Sequence, residues 1–317
     1  MISLTLNRLA QAAIVLLLMS FAVYGLMGLM PGDPIDLMIS ADPNLSAADA
    51  QRLKALYGLD QPIVERWLRW LGNTLSGDFG HSRLYAAPVL QVLGPALANT
   101  LLLLGSSVLV SLIIALPAGI FAALKPYSMR DYLINGLAFA GISIPAFWLA
   151  LMLIGLFAVQ WNLLPAGGTG DLQASGFWQR LQYLILPVMT LTIASIGGHI
   201  RFMRGAMLEV LRQDYIRTAR AKGANTRRIV LYHALRNALI PVVTVLALEF
   251  GTLFSGALVT ETVFAWPGMG KLIYDAILGN DFNLALMALL LATGVTLLGN
   301  LLADLAYAWL DPRIQYQ

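Results

Sequence analysis

The sequence contains no cysteine, and it has few charged residues and few histidines. Without cysteine, disulfide bonds, thiolate metal sites and cysteine nucleophiles are excluded. Charged residues make up 12% of the 317 residues, hydrophobic residues make up 58%, and the mean hydropathy is +0.73. Soluble domains carry roughly 25% charged residues. The composition therefore predicts a protein of the lipid bilayer.

Enzyme motifs are also missing. The stretch Gly268–Lys271 lacks both the first glycine and the final hydroxyl residue of a phosphate-binding loop. His81, His199 and His233 do not have metal-ligand spacing, and the sequence has no nucleophile elbow and no zinc-protease motif. We therefore expect a protein that is not an enzyme. We also expect that this chain itself binds no ATP, metal, other cofactor or nucleic acid.

Long apolar runs are what the sequence has instead. A helix needs about 20 mostly apolar residues to cross a bilayer. Six runs qualify: Leu9 to Met30, Asn99 to Leu124, Leu133 to Gln160, Leu181 to His199, Ala238 to Val263 and Leu284 to Trp309. The first run is too long for a signal peptide and has no clear cleavage site after it, so we expect it to remain as a span. The predicted fold class is an all-α polytopic membrane protein with six transmembrane helices.

The distribution of charge predicts the orientation, because Lys and Arg near span ends remain on the cytoplasmic side. The segment between the fourth and fifth runs is rich in them: Arg201, Arg204, Arg212, Arg217, Arg220, Lys222, Arg227, Arg228 and Arg236. We therefore place this segment, and by alternation both termini, in the cytoplasm. The predicted regions are a first transmembrane helix (1–30), an extracytoplasmic insertion (31–98), a transmembrane core (99–310) containing the basic segment 204–236, and a cytoplasmic tail (311–317).

The predicted insertion is too polar to span a bilayer and carries helix signals. Ser46 and Asp49 form a capping-box pattern that opens a helix ending at Gly58, and Pro62 is a favoured start for a second helix. Trp67 and Trp70 of the second helix could lie at the headgroup level. The insertion either caps the bundle for stability or contacts an external protein that delivers substrate, and the two roles are compatible.

Ionisable residues inside spans are costly and indicate function or a specific partner. Four lie within the predicted spans: His199, Glu249, Glu261 and Asp304. We interpret His199 and Asp304 as residues that bond near the membrane interface. For the two glutamates, a place on a translocation path or outer gate and a hydrogen bond between helices both remain open. Three prolines inside or near the start of spans predict kinks: Pro117, Pro145 and Pro187.

The basic segment has the pattern of a helix, a glycine break and a second helix. We expect a helix over Arg204–Ala221, a break at Gly223, and a second helix that Asn225 or Thr226 caps and that continues through Leu235. This pattern predicts two short helices parallel to the membrane. They either dock a protein through exposed arginines or retain the loop against anionic lipid.

Several motifs of the chain together resemble a known family. The basic segment contains Asp214-Tyr-Ile-Arg-Thr-Ala-Arg-Ala-Lys-Gly223, and further motifs follow in the order His233–Pro241, Glu261–Gly270, Asp304 and Leu310–Arg313. Earlier in the chain stand Pro31–Pro34, Gly58–Asp60 and Gly77–Gly80. Together they resemble the ABC importer permeases of the dipeptide, oligopeptide and nickel family over nearly the whole chain. The sequence resembles the first of their two membrane subunits.

The resemblance implies a type I ABC importer permease fold with a small extracytoplasmic helical insertion, in a bacterial inner membrane. It implies a heterodimer with a second permease subunit, two ATPase subunits that bind ATP and magnesium, and an extracytoplasmic solute-binding protein. The basic segment resembles the EAA motif, which couples the permease to the ATPase. The implied coupling residues are Arg217, Thr218, Ala219, Arg220, Ala221, Lys222, Gly223, Ala224 and Asn225. The chain departs from the generic motif at Arg217, where a glutamate is usual, and at Arg236.

The resemblance defines the substrate less narrowly than it defines the subunits of the transporter. The resemblance implies peptides, with nickel chelates, glutathione or opine-type and sugar conjugates as alternatives. Two other classes remain beside an importer subunit. A secondary carrier would need Glu249 as an ion-coupling group, and a membrane scaffold would need no transport activity at all.

Overall fold

The computed structural model describes residues 2–28, 61–169 and 177–310. The chain is mostly helical, as its composition predicts. The capping-box helix expected between Ser46 and Gly58 and the tail 311–317 lie outside the described residues.

The helices are α1 (Ile2–Gly28), α2 (Ile63–Leu75), α3 (Val89–Leu124), α4 (Met129–Ser143), α5 (Ala146–Leu153), α6 (Phe177–Val210), α7 (Asp214–Ala221), α8 (Thr226–Arg228), α9 (Leu235–Val263), α10 (Met269–Leu278) and α11 (Phe282–Leu310). Two π-helical segments, Ile154–Gln160 and Ile229–Ala234, follow α5 and α8. Strands β1 (His81–Ser82) and β2 (Ala87–Pro88) form an antiparallel pair in which His81 faces Pro88 and Ser82 faces Ala87.

Within the described residues, four helices are long and apolar enough to cross a membrane. They correspond to the first, second, fourth and sixth predicted spans. The predicted third span is broken, because α4 and the helix that starts at α5 meet at an angle of 98°. Ile144 has extended backbone there, as expected before a proline, and Pro145 begins the next helix. Pro145 therefore produces a sharp bend where the sequence predicted a kink, and the bent pair makes a fifth span if it counts as one.

The contacts divide the chain into two units, and the first comprises Met1–Leu97 with Leu272–Val295. In it, α2 packs on α1 through aromatic side chains. The Trp67 indole N–H donates to Ser20 Oγ at 3.1 Å, and its ring meets Phe21 edge-on with centroids 5.3 Å apart. The ring centroids of Trp70 and Tyr24 are 6.0 Å apart. The tryptophans expected at the headgroup level thus form part of a helix-to-helix contact.

The strand pair belongs to the same unit and rests on a buried carboxylate at the start of α11. Asp281 Oδ2 accepts hydrogen bonds from Ser82 Oγ at 2.6 Å and from Leu84 N at 3.0 Å. Its Oδ1 accepts from Leu284 N at 3.2 Å, which caps the first turn of α11. Asp281 is only 2% exposed. One side chain therefore holds both the strand pair and the helix end.

The second unit comprises Ala98–Lys271 with Thr296–Gln317, and α6 is its central helix. Helix α4 runs antiparallel to α6, because Asp131 contacts Arg204, Ala138 lies against Gly197 and Gly141 lies against Ile193. A Cβ added at Gly141 would come within 2.8 Å of the Ile193 carbonyl oxygen. Small residues therefore allow the two helix backbones to touch.

We expect Gly197→Leu to push α4 away from α6, because a Cβ at Gly197 would meet the Ala138 carbonyl and would lie 2.7 Å from Ile142 Cδ1. Overpacking of this kind costs about 1–3 kcal/mol, and a leucine at a backbone contact belongs at the upper end. Thermal unfolding of the detergent-solubilised protein measures the loss. The matched control is Gly205→Leu on the same helix, where a Cβ would have no atom within 4 Å. Equal melting temperatures for the two variants would contradict the close packing.

Candidate functional site

The motif that resembles a coupling segment begins after a break in the chain. Helix α6 ends at Val210, and Gln213 is extended with φ −68° and ψ 150° before α7 starts at Asp214. The single helix predicted over Arg204–Ala221 is therefore wrong, because its first part belongs to α6 and residues 211–213 form a turn. After the turn, α7 shares a buried cluster with residues of α6. We name residues 214–228 the docking segment.

A single apolar side chain holds α7 in place. Ile216 is fully buried, and it is the one buried side chain among the eight residues of α7. It packs in a cluster with Met203 and Met207 of α6, Val230 of the second π-helical segment, and Ala123 of α3. Burying a side chain of this size contributes about 1.5–3 kcal/mol. Of the other residues of α7, Ala219 is half-buried and the remainder are exposed.

Gly223 ends α7 as the sequence predicts. Its φ is +82°, a conformation that side-chain-bearing residues rarely adopt. The Gly223 N–H donates to the Arg220 carbonyl at 2.9 Å, and the Ala224 N–H donates to the Ala219 carbonyl at 3.1 Å. These two bonds form a Schellman motif, which satisfies the last carbonyls of the helix. A Cβ at Gly223 would have no atom of this chain within 4 Å, so the space around it is open.

Asn225 begins the next helix, which confirms one of the two predicted caps. Its side-chain oxygen accepts a hydrogen bond from Arg228 N at 2.9 Å. The helix does not stop at Leu235, however. It continues through the wide π-helical turns of Ile229–Ala234 into α9. The prediction of two short helices is therefore wrong, since buried Ile229, Val230 and Ala234 extend the apolar face of the second helix into the core.

The nine predicted coupling residues differ in exposure. Seven are exposed: Arg217, Thr218, Arg220, Ala221, Lys222, Gly223 and Asn225. Ala219 and Ala224 are half-buried and pack against the cluster around Ile216, so they contact the chain's own core. Arg217 forms an ion pair with Asp214 at 3.3 Å. Both side chains of that pair are largely in solvent, where such pairs contribute about 0–1 kcal/mol.

The docking segment also has a polar tie to the helix that follows it. Asn237 Nδ2, near the start of α9, donates to the Tyr215 hydroxyl at 2.8 Å. Ile216 joins α7 to α3 and α6, while Tyr215 joins it to α9. The docking segment is thus largely exposed, and Ile216 and Tyr215 connect it to the rest of the chain. Its exposed surface carries Arg217, Arg220, Lys222, Arg227 and Arg228.

Glu261, the second predicted site residue, is fully buried and fully hydrogen-bonded. Its Oε1 accepts from Thr100 Oγ1 at 2.5 Å, and its Oε2 accepts from Gly270 N at 2.7 Å and Lys271 N at 3.1 Å. The last two amides belong to the first turn of α10, where a carboxylate is favourable. The predicted hydrogen bond between helices is therefore present, and a place for Glu261 on a translocation path or outer gate stays a prediction. Glu249 lies on α9, but its side chain lies outside the described residues.

The turn between α9 and α10 fits closely around Glu261. A Cβ at Gly268 would collide with the Glu261 carboxylate, and a Cβ at Gly270 would lie 2.9 Å from its Oε2. Trp266 N donates to the Glu261 carbonyl at 2.8 Å, and the Trp266 indole N–H donates to the Asn99 carbonyl at 3.1 Å. The residues of the motif Glu261–Gly270 therefore build one rigid turn.

His199 and Asp304 are the remaining ionisable residues of the predicted spans. His199 is buried, and its Nδ1 lies 2.7 Å from Ser111 Oγ, which links α6 to α3. Asp304 is half-buried on α11. Within the ranges 2–28, 61–169 and 177–310, no group of three or more His, Asp or Glu side chains could hold a metal ion.

One polar cluster was not foreseen from the sequence. Asp131, which is 3% exposed, binds Arg204 with two hydrogen bonds, from Nε at 2.7 Å and from Nη2 at 2.6 Å. The two residues are separated by 73 positions, and nothing in the local pattern of either one indicates the other. The only local signal is Ser128, whose side chain caps α4 by accepting from Asp131 N.

Comparisons with known proteins agree with the motifs. The family described as "Binding-protein-dependent transport system inner membrane component" matches residues 115–316, and the family of the N-terminal part of such a membrane component matches residues 1–116. The oligopeptide transport system permease protein AppB of Bacillus subtilis is 39% identical over 313 residues, which cover 98% of each chain. The dipeptide transport system permease protein DppB of Escherichia coli K12 is 34% identical over 339 residues and covers all of both chains.

A solved structure shares the fold. An inward-facing conformation of the MetNI methionine ABC transporter contains a chain with a TM-score of 0.58 and 21% identity, and the match covers 71% of this chain and 98% of that chain. The resemblance inferred from the sequence motifs is therefore confirmed. The chain is a non-catalytic, multi-pass subunit that works with other transporter subunits. It belongs to the family of inner membrane components of binding-protein-dependent transport systems.

Proposed function

We propose that this chain forms half of the translocation path of an ATP-driven importer for peptides, which an extracytoplasmic binding protein delivers. The observation that carries the proposal is the docking segment. It contains a short helix that is anchored by Ile216 and ends at Gly223, and it exposes four arginines. Peptides are the proposed substrate because relatives of full length are named as oligopeptide and dipeptide permeases.

The docking segment would contact an ATPase subunit through residues 217–225. Exposed arginines can form paired hydrogen bonds with carboxylates of a partner. Because the base of the segment is fixed at Ile216 and Tyr215, a partner that moves α7 would also move α3, α6 and α9. ATP binding and hydrolysis on the partner would then drive alternating access by rigid-body motion. ATP and magnesium would be bound by the partner subunits and not by this chain.

The full assembly we propose has a second permease subunit, two ATPase subunits and one binding protein. In this chain, six spans would place both termini and the tail 311–317 in the cytoplasm, and residues 31–98 would form the external insertion. The exposed basic residues between α6 and α9 support this orientation, since such residues remain cytoplasmic. Nickel chelates, glutathione or opine-type conjugates are alternative substrates for the same machinery.

Reconstitution of the complete complex in vesicles tests the proposal. We expect uptake of a labelled dipeptide that requires ATP and the loaded binding protein, and ATP hydrolysis that the loaded binding protein stimulates about tenfold. Thermal shifts of the binding protein with dipeptides, a nickel chelate and glutathione identify the substrate class. Uptake that survives ATP depletion but stops without a proton gradient would indicate a secondary carrier. Absence of both uptake and stimulated hydrolysis would indicate a scaffold.

A further inference from the structure

Asp131, in the first turn of α4, accepts more hydrogen bonds than a carboxylate at a helix start needs. Its carboxylate accepts four hydrogen bonds: two from Arg204, one from Tyr127 N at 2.9 Å and one from Asn135 Nδ2 at 2.7 Å. An ionised carboxylate has about four acceptor sites, so its capacity is filled. The donors come from α4 itself, from the loop before it and from α6. A single buried group therefore joins three parts of the chain.

The loop before α4 depends on this carboxylate. Tyr127 has φ +62°, a left-handed conformation that is unfavourable for an aromatic residue. Its N–H is bonded to Asp131 Oδ2, and its side chain is 77% exposed. Unfavourable backbone conformations persist where the surroundings enforce them, and they concentrate at switch regions. The carboxylate therefore fixes the conformation of the loop between α3 and α4.

The same carboxylate completes the packing of α4 along α6. Gly197 and Gly141 bring the two helix backbones into contact along the pair, and the Asp131–Arg204 ion pair joins them at the end nearest the docking segment. A paired Arg–carboxylate contact fixes orientation as well as distance. Two helices joined in this way move together, since packed interfaces shift as rigid bodies.

The helix pair α4–α6 is connected at one end to the docking segment and at the other end to α5. At one end, α6 continues into the docking segment. At the other, α4 bends by 98° into α5. Leu149, Ala150 and Leu153 of α5 pack in a buried cluster with Phe264, which lies in the rigid turn after Glu261.

We propose that the Asp131–Arg204 ion pair is a positioning contact for coupling, which makes α4 follow α6 when a partner moves the docking segment. The inference rests on the proposed function and adds a residue pair to it. When α6 moves, Arg204 would move with it, and the ion pair would make Asp131 and α4 follow. Because α4 is joined to α5 at the 98° bend, α5 would move as well. Neither residue needs to touch the ATPase or the substrate.

The test uses the reconstituted complex with Asp131→Asn, which keeps an acceptor for Tyr127 N but removes the charge that pairs with Arg204. We expect peptide uptake and stimulated ATP hydrolysis to fall about tenfold, while basal hydrolysis, membrane yield and co-purification of the ATPase stay within about twofold. Arg204→Gln should have the same effect, and the double variant should be no worse than either single variant.

Arg201→Gln is the matched control, because it removes the same charge from α6 at a side chain that meets α4 only through the face of the Phe139 ring, a weaker contact than a paired carboxylate. It should keep uptake within about twofold. Normal uptake by Asp131→Asn overturns the inference. So does an equal effect of Arg201→Gln, or a loss of uptake that merely follows a loss of yield and assembly. If the unmodified complex shows no ATP-driven uptake, the proposed function itself fails.

Discussion

Replacing Gly223 by tryptophan is expected to reduce peptide uptake about a hundredfold, near the upper end of measured couplings between sites. The chain should still insert into the membrane, because Gly223 is exposed and a Cβ added there would meet no atom of this chain within 4 Å. The loss would come from two sources. Tryptophan disfavours the φ of +82° that ends α7, and its ring would occupy the exposed surface proposed for the ATPase. Uptake and stimulated ATP hydrolysis in reconstituted vesicles measure the effect.

Gly223→Asn separates the two sources, because asparagine tolerates the left-handed conformation better than other side chains and is much smaller than tryptophan. If conformation dominates, Gly223→Asn should retain most of the uptake while Gly223→Val, which disfavours this φ, should lose it. If close approach of a partner dominates, both variants should lose uptake, and the melting temperature of Gly223→Asn should stay close to that of the unmodified chain. Wild-type uptake by Gly223→Trp would remove the docking segment from the proposed function.

Replacing Glu261 by alanine is expected to produce the largest loss of stability of any single substitution proposed for this chain. The substitution would remove the acceptor of two buried donors, the Thr100 hydroxyl and the Gly270 N–H, and of the partly buried Lys271 N–H. Each buried donor left unpaired costs about 1–3 kcal/mol, so a loss of about 2–6 kcal/mol is expected from the first two. Thermal unfolding in detergent and the yield of membrane-inserted protein measure the loss.

Two variants calibrate that result. Glu261→Gln keeps one acceptor oxygen, so its loss should be intermediate. Glu209→Ala removes a glutamate that is exposed on α6, so its effect should stay within about 0.5 kcal/mol. A melting temperature of Glu261→Ala equal to that of Glu209→Ala would show that the turn between α9 and α10 does not depend on the carboxylate.

Features set by neighbouring residues could be predicted from the sequence. The left-handed glycine at position 223 and the cap at Asn225 depend on a few residues, and both were predicted. The points at which the helices of the basic segment end depend on which side chains are buried. Burial depends on contacts with other parts of the chain, which the sequence does not show. Ile216 is buried only because α7 turns back onto α6, so the break at 211–213 was missed. The continuation of α8 into α9 was missed for the same reason.

Contacts between distant residues could not be predicted. Glu261 and Thr100 are 161 positions apart, and Asp131 and Arg204 are 73 positions apart. Periodicity marks which face of a helix is apolar, but it does not choose the neighbour of a polar residue on that face. The sequence therefore left two interpretations open for Glu261, and it gave Arg204 no role beyond its positive charge.

The hydrogen bond between Ser82 and Asp281 has a consequence for the order in which the chain matures. These residues are 199 positions apart, and chains are synthesised from the N-terminus. The strand pair 81–88 must therefore wait, with the Ser82 hydroxyl and the Leu84 amide unpartnered by Asp281, until the ribosome has completed the region where α11 begins. The first unit therefore cannot be completed until late in synthesis, although it contains the N-terminus. A chain that ended before residue 281 would lack the carboxylate that holds this strand pair.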